Sequence, residues 1–250
     1  MVISEMIDAA PGKSAGCGKA DAAPGESSGR GNADAASGES AGRGNNRIFC
    51  IMGKSGTGKD TLYKELLSDA ALPFERLVPC TTRPIREGEQ NGREYKFYTA
   101  EEFHALEKAG RIIESRCYET VHGPWHYFTA DDGQIDLDRR STLLIGTIES
   151  YAALGQYFGR ERVVPVYVEV EDGERLQRAL DRERAESVPK YRELCRRFLA
   201  DCDDFSEEKI AEAGIERRFI NDKLERCKQE IKDFLLEMMS PEQGASAPGV

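Results

Sequence analysis

The sequence predicts an α/β fold, a mostly parallel sheet flanked by helices in three layers. Three observations carry this. Residues 142–147 (TLLIGT) and 163–170 (VVPVYVEV) are apolar runs without strict polar alternation, as expected of strands buried on both faces. Helical patterns follow each run, and strands alternating with helices are the signature of a parallel sheet. A glycine-rich stretch, residues 53–59, joins the first apolar run to the first helix.

The elements follow in order. Residues 47–52 (RIFCIM) read as the first strand. Residues 60–69 read as a helix with Leu62, Leu66 and Leu67 on one face. Residues 77–80 are expected to form a second short strand. Residues 99–109 read as a helix that Thr99 caps, with Glu102 three residues on completing a capping box. A strand is expected over 111–118, then the two apolar runs with their helices, a last strand over 217–221 and an amphipathic helix over 222–238.

Composition divides the chain. Nine of the 24 glycines lie in residues 1–46, whereas all 20 aromatic residues come later. Residues 20–32 (ADAAPGESSGRGN) and 33–45 (ADAASGESAGRGN) repeat with a period of 13, and residues 7–19 are a degraded first copy. A solenoid would need large apolar residues to stack, and these copies have none. Residues 1–46 are therefore expected to be a disordered leader, 47–238 one globular domain and 239–250 a flexible tail.

The same arithmetic excludes several classes. No stretch approaches the roughly 20 apolar residues of a membrane span, and the first residues lack the basic start and apolar core of a secretory signal. Seven cysteines without a C-x-x-C pair do not suggest a disulfide scaffold or a zinc site, and they fit a reducing cytoplasm. A net charge of −10 does not suit a general nucleic-acid binder, though it leaves room for local basic pockets.

Residues 53–59 (GKSGTGK) fit G-x-x-x-x-G-K. Gly53, Gly56 and Gly58 let backbone N–H groups of Ser55, Thr57 and their neighbours approach phosphate oxygens without Cβ obstruction. Lys59 supplies a positive charge to the β/γ phosphates, and the following helix N-terminus adds to it. Strand before and helix after are the context that separates this loop from a chance match, and they imply a P-loop NTPase-type three-layer fold. Asp60 stands where a hydroxyl commonly contacts Mg²⁺, so Asp60 could hold the ion directly or through water. Thr61, one residue later, could reach a phosphate.

Residues 80–98 read CTTRPIREGEQNGREYKFY. Arg83 and Arg86 flank a proline that stiffens their spacing, and arginine forks grip phosphate bidentately. In isolation they would be two solvated loop arginines. Taken with the phosphate loop, Thr81-Thr82-Arg83, Arg86, Gly88-Glu89, Gly92 and Tyr95 match a T-T-R-x-x-R-x-G-E-x-x-G-x-x-Y pattern, and the chain resembles the guanylate kinase family over residues 47–238.

That resemblance implies ATP-dependent phosphoryl transfer to a nucleoside monophosphate, GMP or dGMP, with Mg²⁺ accompanying ATP. It implies a nucleoside-monophosphate-binding insertion over about 80–130 and a helical lid over about 174–205. Arg83, Arg86, Tyr95 and Tyr127 would bind the acceptor phosphate. Glu114 would read guanine, whose N1–H and N2–H₂ form a donor pair that adenine lacks. Thr129 would meet guanine O6, and Glu149 would substitute for the family's base-contacting aspartate. Arg178, Arg182 and Arg197 would be the lid arginines acting with Lys59, and Asn221 would lie near the donor adenine.

The chain also departs from the family. Pro79 stands where a serine hydroxyl is usual, residues 146–150 (GTIES) replace an Asp-rich segment, and Arg182-Glu183-Arg184-Ala185 stands in place of an R-G-T-E turn. These departures keep a kinase for another phosphorylated acceptor in view. A non-catalytic module of the same fold is the reading from a different class.

Overall fold

The structure is a computed structural model and describes residues 45–120 and 123–240. Apart from Asn45, the 13-residue repeats lie outside the described residues, as do the last ten residues.

The chain forms β1 (Ile48–Met52), α1 (Lys59–Ser68), β2 (Glu75–Arg76), β3 (Cys80–Thr81), β4 (Lys96–Phe97), α2 (Ala100–Lys108), β5 (Ile112–Thr120) and β6 (Gly123–Ala130). Then follow β7 (Thr142–Ile145), α3 (Ile148–Phe158), β8 (Val163–Glu169), α4 (Asp172–Arg184), α5 (Tyr191–Asp204), α6 (Glu207–Glu212), β9 (Arg218–Ile220) and α7 (Leu224–Met239).

The main sheet has five parallel strands in the order β2-β7-β1-β8-β9. β1 is central and buried along its whole length, which is why its run is uniformly apolar. Its side chains alternate between two cores. Phe49 and Ile51 pack with Leu62 and Leu66 of α1 and with Ile231 and Leu235 of α7. Ile48, Cys50 and Met52 face Leu154 of α3 and Ile210 of α6. Central placement puts the loop after β1 at the carboxyl edge of the sheet, where open α/β sheets bind ligands.

A second sheet, order β4-β3-β6-β5, stands apart from the first. The sequence predicts one sheet, and it leaves residues 123–130 unassigned. They form β6, which pairs antiparallel with both β3 and β5. The strand expected over 77–80 is also replaced: β2 and β3 belong to different sheets. Between them the Gln134 side chain accepts from Val78 N (2.9 Å) and donates to Val78 O (3.0 Å). One amide side chain thus satisfies both backbone groups that a neighbouring strand would otherwise pair.

The helix predicted over 99–109 forms with its capping box complete. Glu102 N donates to Thr99 Oγ1 at 3.1 Å and Thr99 N donates to Glu102 Oε2 at 2.7 Å. Thr99→Ala is expected to cost about 1 kcal/mol of stability, read from chemical denaturation midpoints. A change within error would remove the cap from the account of this helix.

Candidate active site

The phosphate loop leaves β1 through Gly53, whose φ is +149°, and reaches α1 through Gly58 in the left-handed conformation, φ +83°. Packing as well as dihedral demands glycine here. A Cβ on Gly53 would lie 2.3 Å from Val168 O, and one on Gly58 would lie 2.6 Å from Asn221 Nδ2. Thr57 is buried and turns inward, its Oγ1 donating to Lys54 O (2.9 Å). Asn221 Nδ2 donates to Thr57 O (2.7 Å). The structure therefore gives Asn221, expected beside the donor base, a bracing contact with the loop itself.

Lys59 opens α1. Burial pulls its ammonium below the ordinary lysine range; the charges of Asp60 and Asp201 oppose that, while Arg182 and Arg175 reinforce it. Arg182 of α4 is thus brought to the Lys59 end of the loop. Arg178, one turn earlier, donates to Asn221 O (3.3 Å). Arg197 of α5 is partly buried beside Glu193 of its own helix, 3.9 Å away. Thr61 is exposed on the first turn of α1.

Behind the loop lies a cluster that sequence reasoning did not separate from solvated lid arginines. Arg175 is 1% exposed and donates to Ser55 O (3.1 Å) and Asp201 Oδ2 (3.3 Å). It also pairs with Asp172 (2.9 Å) and stacks over Phe198 at 4.2 Å. Asp201 Oδ2 in turn accepts from Ser55 N (2.8 Å). The carboxyl of Asp172, which burial would raise, is instead held low by Arg175 and Lys54. No local signal marks this arrangement, because its members come from the loop, α4 and α5.

On the acceptor side, Arg83 is 3% exposed and its fork is closed on Glu89, with Nη1–Oε2 at 2.9 Å and Nη2–Oε1 at 2.8 Å. Glu89 also accepts from Arg86 N (2.7 Å). One carboxylate therefore positions both arginines, a role not foreseen for it. Arg86 is exposed, whereas Arg83 Nε is buried without a hydrogen-bond partner among the described residues. Tyr95 and Tyr127 are buried edge to face, centroids 5.8 Å apart, and Arg83 lies over Tyr95 at 5.3 Å.

The β5–β6 hairpin builds the base side. Ile112 pairs with Ala130 and Glu114 with Thr129, so Ile113 is an extra residue, a bulge that re-aims the strand. Beyond it, Glu114 and Arg116 stand opposite Thr129 and Tyr127 on one face. The other face carries Phe128, which packs with Cys80 and Phe103. The first face, with Pro79, Leu144, Gly146, Thr147 and Ser150, encloses a cleft of about 740 Å³ including its open mouth. A neighbouring hollow reaches Asp60 and shares Tyr63, Arg76 and Ile145 with this cleft, so the acceptor and phosphate-loop sides adjoin.

Within the cleft Thr129 Oγ1 donates to Glu114 Oε1 (3.0 Å). Burial raises the Glu114 carboxyl above the usual range, Arg116 and Thr129 oppose that, and Glu149 adds to the rise. The Thr129 hydroxyl donates its proton to Glu114 in this structure and so orients the glutamate. Glu149 is exposed on the first turn of α3, close enough for its charge to act on Glu114, while Thr147 and Ser150 line the cleft. They hold Arg116, whose Nη2 donates to Thr147 Oγ1 (2.5 Å) and Ser150 Oγ (3.3 Å). Arg116 was missed, although two-residue periodicity from Glu114 on a strand would have found it.

Comparison with known proteins agrees with this geometry. The family model described as guanylate kinase matches residues 45–124. A guanylate kinase of Porphyromonas gingivalis is 26% identical over 197 residues, 78% of this chain and 98% of that protein. One of Nitratidesulfovibrio vulgaris is 30% identical over 196 residues, 78% of this chain and 89% of that one. The crystal structure of guanylate kinase from Anaplasma phagocytophilum shares the fold, with a TM-score of 0.50 and 23% identity, covering 79% of this chain and 88% of that one. Because the likeness to the Nitratidesulfovibrio protein extends far beyond a phosphate loop, over 196 residues, the chain belongs to the guanylate kinase family.

Proposed function

We propose that the chain transfers the γ-phosphoryl group of ATP to GMP or dGMP. The observation that carries this is the joining of two clefts, one ending at Asp60 beside Lys59 and the other walled by Glu114. In this reading residues 80–130 hold the acceptor and residues 174–205 form the lid. Gly53, Gly56 and Gly58 bring loop N–H groups to the ATP phosphates, with Ser55, Thr57 and Thr61 alongside, and Asn221 keeps the loop in shape.

The acceptor phosphate oxygen is already anionic, so no strong general base is required and catalysis is alignment and charge neutralisation. Arg86 and the unpaired Nε of Arg83 meet the acceptor phosphate, with Tyr95 and Tyr127 closing the space around it. Lys59 and Arg182 face the transferred group, and Arg178 and Arg197 approach as the lid closes and excludes water.

Asp60 fits a magnesium ion. Its Oδ1 is buried and has no hydrogen-bond partner among the described residues, and Mg²⁺ is commonly held by one or two carboxylates with phosphate oxygens and waters. When bound with ATP the ion would neutralise charge on the phosphate oxygens. Cys50, Cys80 and Cys227 are buried thiols outside any disulfide, which supports a reducing cytoplasm as the compartment. No helix among the described residues is long and apolar enough to cross a membrane.

Coupled ADP release with GMP, dGMP, AMP, UMP and IMP as acceptors tests this reading. Turnover should depend on GMP or dGMP, and its absence with both would refute the reading. Glu114→Gln should lower kcat/KM for GMP about ten- to a hundredfold, because one of two charge-assisted bonds loses its acceptor. The raised carboxyl of Glu114 protonates on acidification sooner than an ordinary glutamate. The KM for GMP should therefore rise as pH falls, and this rise should be absent in Glu114→Gln.

A further inference from the structure

We infer that Arg116 is a second base-reading residue, which takes guanine O6 while Glu114 takes N1–H and N2–H₂. The inference rests on the acceptor reading above and goes beyond it by assigning the base oxygen.

Guanine O6 needs a donor beside Glu114. A carboxylate such as Glu114 can accept from guanine's two N–H groups but offers nothing to the adjacent carbonyl. Two neighbours of Glu114 leave that carbonyl without a donor in this structure. Thr129 spends its proton on Glu114, and Pro79 has none to give. Arg76 donates to Arg93 O (2.6 Å).

Arg116 meets the need. It stands two residues from Glu114 on the same strand face and lines the same cleft, its Nε 4.0 Å from Glu114 Oε2. Thr147 and Ser150 fasten Nη2, which fixes the plane of the guanidinium. Nη1 makes no hydrogen bond among the described residues and remains available to a base. A guanidinium beside a carboxylate presents donor then acceptor, the complement of O6, N1–H and N2–H₂ read in order. Adenine would set its N6 amino donors against Arg116 and its unprotonated N1 against Glu114, so both groups would reject it.

The test is steady-state turnover of the full chain and Arg116→Met with GMP, 6-thio-GMP and IMP. 6-Thio-GMP keeps N1–H and N2–H₂ but replaces O6 with sulfur, a weaker acceptor; IMP keeps O6 and N1–H and lacks N2–H₂. The unmodified chain should prefer GMP to 6-thio-GMP. Arg116→Met should raise the KM for GMP about ten- to a hundredfold, collapse the GMP preference over 6-thio-GMP and leave the GMP:IMP ratio in place. Arg116→Lys should restore part of the preference. An unchanged GMP:6-thio-GMP ratio in Arg116→Met, or an equal loss with all three acceptors, would overturn the inference. If Arg116→Met does not fold, Arg116→Lys decides by the same ratio. A chain with no GMP-dependent turnover at all would instead overturn the acceptor reading.

Discussion

Lys59→Met is expected to lower kcat about 10²–10³-fold, the loss typical of removing one preorganised charge-stabilising group, without lowering the stability of the fold. The two halves have one cause. Lys59 follows the left-handed Gly58 at the start of α1, and its ammonium makes no ion pair within 4 Å among the described residues. Desolvation without a partner is unfavourable, which is why burial lowers its pKa. Asp60 and Asp201 offset part of that through space, whereas Arg182 and Arg175 add to it. The folded chain thus holds a destabilised cation ready for an anion, an arrangement that serves binding at some expense of stability. Methionine keeps the length of the side chain and removes the charge. Its melting temperature should equal or exceed that of the unmodified chain while turnover collapses. If Lys59→Met turns over within threefold of the unmodified chain, Lys59 is not the group that neutralises the transferred phosphoryl. If it melts markedly lower, the ammonium has a structural partner.

Legibility in the sequence followed the range of the interactions. β1, the phosphate loop and α1 could be read because their signals are local: a five-residue apolar run, three glycines and leucines four apart. The capping box at Thr99 was equally local. The short strand over 77–80 was misplaced because Gln134, 56 residues away, supplies the hydrogen bonds to Val78. β6 was overlooked since its aromatic sequence alternates only in relation to β5, with a bulge at Ile113 that shifts the register. Glu114 could be identified from its flanks. Arg116 required the knowledge that the expected strand turns this face to a cleft. Glu149 could be read only as a charge near the base, since its exposure follows from α3 beginning at Ile148.

Arg175→Ala is expected to destabilise the chain by about 3–5 kcal/mol, the range for deleting one member of a buried ion pair. Arg175 and Asp201 have side chains 1% and 10% exposed, so the variant leaves the Asp201 carboxylate without its guanidinium in a site with little water. Removing both charges should be far less harmful. Arg175→Met with Asp201→Leu should recover much of the loss, because two apolar groups of similar volume no longer require solvation. Function should part from stability at this point. Arg175 donates to Ser55 O, and Asp201 accepts from Ser55 N, so the pair clamps both backbone groups of one phosphate-loop residue. The apolar pair cannot replace either bond. Chemical denaturation should therefore show recovery in the double variant, while its KM for ATP stays as high as in Arg175→Ala. Additive losses in the denaturation series would mean that the two charges do not act as a pair. A KM for ATP that recovers together with stability would mean that the clamp on Ser55 contributes nothing to nucleotide binding, and that Arg175 serves only the packing of α4 against α5.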